Sequence, residues 1–165
     1  MVKYAITGHT NGIGKRLYER LQPNAIGFSL TTGYDITSAI DRTRIIEEVD
    51  DCDVFINNAT AGFGQTLLFL DLFKVWKDRP KTIINVGSRI AEVKYLSKDK
   101  INLLKYQAEK LILKEMSHRV RVQGVCEVKY KWFGYVGTEK ILKKYPHFTH
   151  RDYITEDQAA DIILA

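Results

Sequence analysis

Short β-rich apolar runs alternate with stretches of helical periodicity along nearly the whole chain. Val2-Lys3-Tyr4-Ala5-Ile6-Thr7 predicts a first strand that Gly8 ends, and Ile13, Leu17 and Leu21 then share one face of a helix. Ala25–Leu30 predicts a second strand, Thr31-Thr32-Gly33 a turn, and Ser38–Asp50 a helix carried by Ile45, Ile46 and Val49. Asp53–Asn57 reads as a third strand, Gln65–Lys77 as a strongly apolar helix, Thr82–Val86 as a fourth strand and Asn102–Ser117 as the longest helical pattern. Val120–Val128 alternates like a fifth strand, the segment after it is aromatic and basic, and Thr155 offers a hydroxyl to cap a last helix with Asp157 at its positive end.

Strand and helix in alternation imply parallel strands joined by right-handed crossovers, which place helices on both faces of one sheet. The expected fold is therefore α/β, a doubly wound Rossmann-type sheet of about five strands. Only a turn separates the second strand from Asp35, which leaves no room for another helix and strand on that side, so the predicted order is 2-1-3-4-5. No repeat or linker interrupts residues 1–165, which read as a single domain.

Composition narrows the class. No apolar run approaches the roughly 20 residues that span a bilayer, and no leader pattern opens the chain, which points to a soluble, cytoplasmic protein. Cys52 and Cys126 lie far apart without metal-ligand spacing and read as buried thiols of a reducing compartment. His147 and His150 near Asp152 have incidental loop spacing, and no metal is assigned. A net charge of +5 suits an anionic partner, but a dinucleotide satisfies it as well as a nucleic acid does.

The candidate chemistry begins where the first strand turns into the first helix, in Thr7-Gly8-His9-Thr10-Asn11-Gly12-Ile13-Gly14. Gly8 permits the tight turn, Gly12 lets backbone N–H groups approach a pyrophosphate, and Gly14 lets helix and strand pack closely, with the helix N-terminus facing the anion.

The pattern TGxxxGIG resembles the cofactor loop of the short-chain dehydrogenase/reductase family at every specified position. Asp35-Ile36 resembles that family's Asp-hydrophobic pair beside the adenine ring, and Asn57-Asn58-Ala59 with Ala61-Gly62 its NNAG segment. Ile84-Asn85-Val86-Gly87-Ser88 resembles the strand that delivers the serine, and Tyr106-Gln107-Ala108-Glu109-Lys110 the YxxxK motif. Gly134–Thr138 resembles the PG-x-V-x-T loop, with Phe133 in place of the proline.

The resemblance implies an NAD(P)-dependent oxidoreductase that moves a hydride between nicotinamide and a carbonyl or alcohol. Catalysis would fall to Ser88, Tyr106 and Lys110, and cofactor binding to Gly8, Thr10, Asn11, Gly12, Ile13, Gly14, Ser29, Asp35, Ile36, Asn58, Ala59, Tyr106 and Lys110. Four-residue spacing puts Tyr106 and Lys110 one helical turn apart, where an ammonium together with cofactor charge lowers a phenol's pKa and readies it for proton transfer. No acidic residue ends the second strand, while Ser29 and Thr31 could bind a 2′-phosphate, so NADP(H) is slightly favoured.

Departures from the family pattern matter too. Asn58 to Ser88 is short, with no match for the family's catalytic asparagine and only a weak substitute in Gln65; a loop at Arg89–Asp99 lengthens the next interval, and the family's last strand is missing. These features keep a non-catalytic NAD(P)-binding sensor as the alternative. Nucleic-acid binding through Lys129–Phe133 and Lys140–Tyr145 is a weaker reading. Helix 65–77 is apolar on more than one face, and with helix 102–117 it predicts a homodimer across a two-fold axis, as the family pairs. The substrate, a small carbonyl or alcohol, would be shaped by residues 89–99 and 129–153.

Overall fold

A computed structural model describes residues 1–93 and 101–165; part of the Arg89–Asp99 loop expected from the sequence therefore lies outside the described residues. The elements run β1 (Tyr4–Thr7), α1 (Gly12–Leu21), β2 (Ala25–Phe28), α2 (Ala39–Glu48), β3 (Val54–Asn57), α3 (Gly64–Trp76), β4 (Thr82–Val86), α4 (Ile101–Val120), β5 (Glu127–Lys131), α5 (Glu139–Lys144) and α6 (Glu156–Leu164). All five strands pair in parallel in the order 2-1-3-4-5, as the pattern predicts.

Alternate residues of the central strands feed two cores. Ala5, Phe55 and Ile83 point to the face covered by α2, α3 and α4, where they meet Ile45, Leu68, Leu72, Trp76 and Leu113. Ile6, Ile56 and Ile84 point to the other face, where Leu17 of α1 and Ala160 and Ile163 of α6 close over them. Burial on both sides explains why the strands read as continuous apolar runs.

The helix starts differ in a way that bears on the site. Ser38, Thr138 and Thr155 each accept a hydrogen bond from a first-turn amide of the helix that follows, and Gln158 reaches back to Thr155 to complete a capping box. Asn11, which precedes α1 in an extended conformation, caps nothing with its side chain. The first amides of α1 are left to whatever lies beyond them.

One strand falls elsewhere than expected. The alternation over Val120–Val128 belongs to the end of α4 and a turn, and β5 begins only at Glu127. Val120 is the last buried residue of the helix, whereas Val122 and Val125 face solvent at 91% and 64% exposure. The turn closes where Gly124 packs on the Lys77 carbonyl, which accepts from the amides of Val125 and Cys126. The short helix α5 had no periodic apolar signal, and its Thr138 cap is what starts it. Cys52 and Cys126 are both buried free thiols, and no described helix is long and apolar enough to cross a membrane.

Candidate functional site

The glycine turn stands at the C-terminal ends of β1 and β2. Gly8 and Gly12 adopt φ of 73° and 52°, a region that costs any residue with a Cβ. At Gly14 the constraint is contact: a Cβ there would lie 2.0 Å from the Gly8 carbonyl oxygen, so α1 can seat on the turn only through glycine. Thr7 ties the turn to the next loop, its Oγ1 accepting from the amides of Asn58 and Ala59 at 2.9 and 3.0 Å. Asn58 also donates to the Thr7 carbonyl at 3.1 Å.

A hydroxyl cluster borders this turn. Thr31 donates to Thr10 at 3.1 Å and lies 2.9 Å from the Ser29 hydroxyl, which joins the end of β2 to the glycine turn. A cleft of about 1160 Å³ opens beside it, lined among others by Thr10, Asn11, Gly12, Lys15, Thr138 and Lys140. Uncapped amides at a helix start and backbone bared by glycine fit a diphosphate, while the cations of the cleft, Lys15, Arg16, Lys140 and Lys143, stand among the carboxylates of Glu19, Glu139, Glu156 and Asp157.

Not every expected residue faces that cleft. Ile36 is buried in the core against Gly64, and Ile13 packs among the residues under α6. Asp35 folds onto its own chain, accepting from the hydroxyl and amide of Thr37 at 2.7 and 2.9 Å. Those bonds, the hydroxyl's first, hold its carboxyl below the usual range.

The second half of the site forms at the ends of β3 and β4. Ser88 follows β4, and its Oγ accepts from the Ile90 amide, close enough to the Tyr106 phenol to act on its pKa. Gln107, inside the YxxxK motif, donates to the carbonyls of Ile90 and Val93 at 3.0 and 2.6 Å and so straps the serine's turn to α4. Lys110 stands one turn further on, its Nζ 5.3 Å from the centre of the Tyr106 ring. Tyr130 of β5 completes the wall by filling the space left by Gly87, and burial pushes its phenol up to about 12.

The electrostatics differ from the sequence expectation. Burial raises the Tyr106 pKa above the ordinary phenol value, and the nearby Ser88 hydroxyl only partly offsets it. The Lys110 ammonium gives its hydrogen bonds to other groups than the phenol. Nζ donates to Gln65 Oε1, to Thr60 Oγ1 at 2.9 Å and to the Val86 carbonyl at 3.4 Å, with Glu109 Oε2 at 3.7 Å. Burial pulls Lys110 down to about 8, and the Glu109 carboxylate opposes the shift.

This crypt is the part that sequence reasoning missed. Glu109 is fully buried and accepts from the Thr66 hydroxyl at 2.9 Å and the Thr66 amide at 3.2 Å, which caps the start of α3. Asn57, Asn85 and Ser117 continue the polar chain, with Asn57 donating to Asn85 and Asn85 to Ser117, both at 2.9 Å. The available signal was Gln65-Thr66 at the head of an otherwise apolar helix, polar residues for which burial demands partners. Among the described residues no cluster of His, Cys, Asp and Glu has metal-binding geometry.

No protein-family model and no curated protein matches the sequence. The backbone does have counterparts among solved structures. A short chain dehydrogenase from Burkholderia cenocepacia J2315 in complex with NADP superposes with TM-score 0.78 at 20% identity, over 99% of this chain and 83% of that one. The chain has the short-chain dehydrogenase/reductase fold. A small-chain dehydrogenase in complex with NADPH gives TM-score 0.75 at 16% identity, over 99% and 89% of the two chains. A ribose-5-phosphate isomerase from Brucella melitensis 16M gives 0.77 at 15% identity, over 98% and 83%. Likeness at this level carries the fold, and function must be argued from the site.

Proposed function

We propose that the protein is an NAD(P)H-dependent reductase of small carbonyl compounds, with Tyr106 as the proton donor. The observation that carries this reading is the approach of Ser88 to the Tyr106 phenol, 18 positions along the chain, with Lys110 one turn further on α4 and its Nζ 5.3 Å from the phenol ring centre. A dinucleotide would lie with its diphosphate on the amides of Gly12 and the first turn of α1, framed by Thr10, Asn11, Asn58 and Ala59. Its nicotinamide, when bound, supplies the hydride.

The chain's own residues handle the proton. Ser88 donates a hydrogen bond to the substrate oxygen, and Tyr106 gives that oxygen its proton as carbonyl becomes alcohol. Burial holds the phenol of the cofactor-free protein above its ordinary pKa, so it carries its proton at neutral pH and becomes a better donor once cofactor charge and Lys110 lower that pKa. Lys110, reoriented from its crypt, would hold the nicotinamide ribose hydroxyls. NADP(H) is the preferred form, because Ser29, Thr31 and Thr10 present hydroxyls at the end of β2 where a carboxylate would repel a 2′-phosphate. Two of the structural neighbours were solved with NADP or NADPH.

Titrating the protein with NADPH and NADH by fluorescence, then following oxidation of the reduced nicotinamide across a panel of aldehydes and ketones, tests the proposal. Tyr106→Phe is expected to lose turnover by about 10³-fold with cofactor affinity unchanged. One observation favours a second reading, a cofactor-binding sensor without catalysis: all three Lys110 donors are engaged within the crypt rather than at the phenol. Tight cofactor binding with no turnover on any substrate selects that reading.

The assembly belongs to the same proposal. Leu67 and Val75 on α3 and Leu111 and Ile112 on α4 remain 43–50% exposed, although Leu68, Leu72 and Trp76 beside them are buried. A two-fold pairing of α3 and α4 with a second copy would cover them, and light scattering at micromolar concentration should return twice the chain mass.

A further inference from the structure

Gln65 is completely buried, and its hydrogen bonds leave it one orientation. Nε2 donates to the carbonyls of Asn57 at 2.7 Å and Val86 at 2.9 Å, the last residues of β3 and β4. Two carbonyl acceptors can be met only by the amide's NH₂ end, so the oxygen must face the other way. It faces Lys110 Nζ. The backbone of Gln65 is pinned as well, its carbonyl accepting from Asn57 Nδ2 at 2.9 Å.

We propose that Gln65 is a positioning residue for Lys110: its amide oxygen, oriented by the two strand-end carbonyls, sets where the buried ammonium sits and how firmly it keeps its proton. This deepens the reductase reading and rests on it for its catalytic meaning, because the hold of Gln65 sets what Lys110 gives up in turning toward the nicotinamide ribose, although the ammonium's proton can be followed without turnover. The titratable groups facing Nζ are Glu109 and Tyr106, both on α4. The surrounding elements face it with neutral groups: the Gln65 amide of α3, the Val86 carbonyl of β4 and the Thr60 hydroxyl of the loop after β3. An ammonium taken out of water keeps its charge only through such acceptors, and removing one strips a charge-assisted hydrogen bond. The same residue clamps the ends of β3 and β4, so a purely architectural role is the competing explanation.

Two variants separate the roles, because both break the donations to the strand ends while acting oppositely on Lys110. Gln65→Met removes the acceptor, and Gln65→Glu replaces it with an anion. The lysine titration of the intact cofactor-free protein is read by NMR after isotopic labelling of lysine side chains, with Lys110→Met to assign the resonance. Positioning predicts a midpoint lower by about one pH unit in Gln65→Met, the worth of one hydrogen bond to a charged group, and a higher midpoint in Gln65→Glu. Midpoints that stay at the parental value in both variants overturn the proposal and leave Gln65 architectural. Should Gln65→Met fail to fold, Gln65→Asn, which keeps the amide but shortens its reach, must lower the midpoint, and an unmoved midpoint there has the same overturning force. The pH profile of kcat/KM on the best substrate should shift in the same direction as each midpoint. A parent without turnover removes the reductase reading, and the NMR midpoints still decide the role of Gln65.

Discussion

The glycine turn and the lysine crypt lie at the same edge of the sheet and are built on opposite principles. The turn works by what is missing: no side chain at Gly8, Gly12 or Gly14, and no side-chain cap on α1. The crypt works by what is enclosed, a lysine and a glutamate at 2% and 0% exposure, braced by Thr60, Gln65 and Thr66. A bare turn holds its charge on the ligand it awaits, whereas the crypt carries its charge within the protein at a standing cost. The difference teaches that binding capacity here is local and cheap, while the proton chemistry is non-local and strained by desolvation.

The largest effect is expected where the turn is filled. Gly14→Ala drives a Cβ to 2.0 Å from the Gly8 carbonyl, a backbone atom that cannot step aside, and should cost about 3 kcal/mol in denaturant unfolding along with NADPH affinity. Normal stability and binding in that variant would break the claim that the turn depends on missing side chains.

On the crypt side, pH is the lever. Between pH 8 and 10.5 the folded protein has released the Lys110 proton while the unfolded chain still holds it, so the contribution of this group to stability rises with pH across that window. Below pH 8 the burial cost is fully present, on the order of 3 kcal/mol. Cys126, its thiol pushed up to about 11 by burial, acts in the opposite direction above pH 9, so the quantity to follow is the difference between parent and Lys110→Met unfolding free energies. A flat difference from pH 8 to 10.5 would show the lysine to be solvated.

Ser117→Ala tests how far the enclosed network extends. It removes the acceptor of Asn85 Nδ2 in a buried setting and should destabilise by about 2 kcal/mol, measured by thermal or denaturant unfolding. The smallest change should come from Arg16→Ala near the cleft. The Arg16–Asp157 bridge at 2.7 Å joins α1 to α6, but both side chains are largely solvated, so its loss should barely move the unfolding midpoint and should move it less still in salt.

Legibility followed the same division. Gly8, Gly12, Gly14, Ser88, Tyr106 and Lys110 could be picked out because each belongs to a short contiguous motif, and the structure brings them to one edge of the sheet. Thr60 and Glu109 stand at unspecified positions within matched motifs and Gln65 reads only as a weak substitute for an asparagine, since the meaning of all three depends on α3 starting beneath the end of β4 and on α4 crossing it. Asp35 and Ile36 matched a motif, yet Thr37 and the core take up their side chains. The displaced start of β5 has a related cause: alternation over Val120–Val128 is a local pattern, and pairing with Thr82–Val86 decided the strand.

The amino-acid order by itself determined the succession of strands and helices, the handed parallel sheet they must form and the bare turn at its edge, because periodicity and missing Cβ atoms act over a few residues. Only the tertiary structure decided the charge and reach of Lys110 and the protonation of Tyr106. Those depend on desolvation and on partners up to 50 positions away, and such energies exist only once the chain has closed around them.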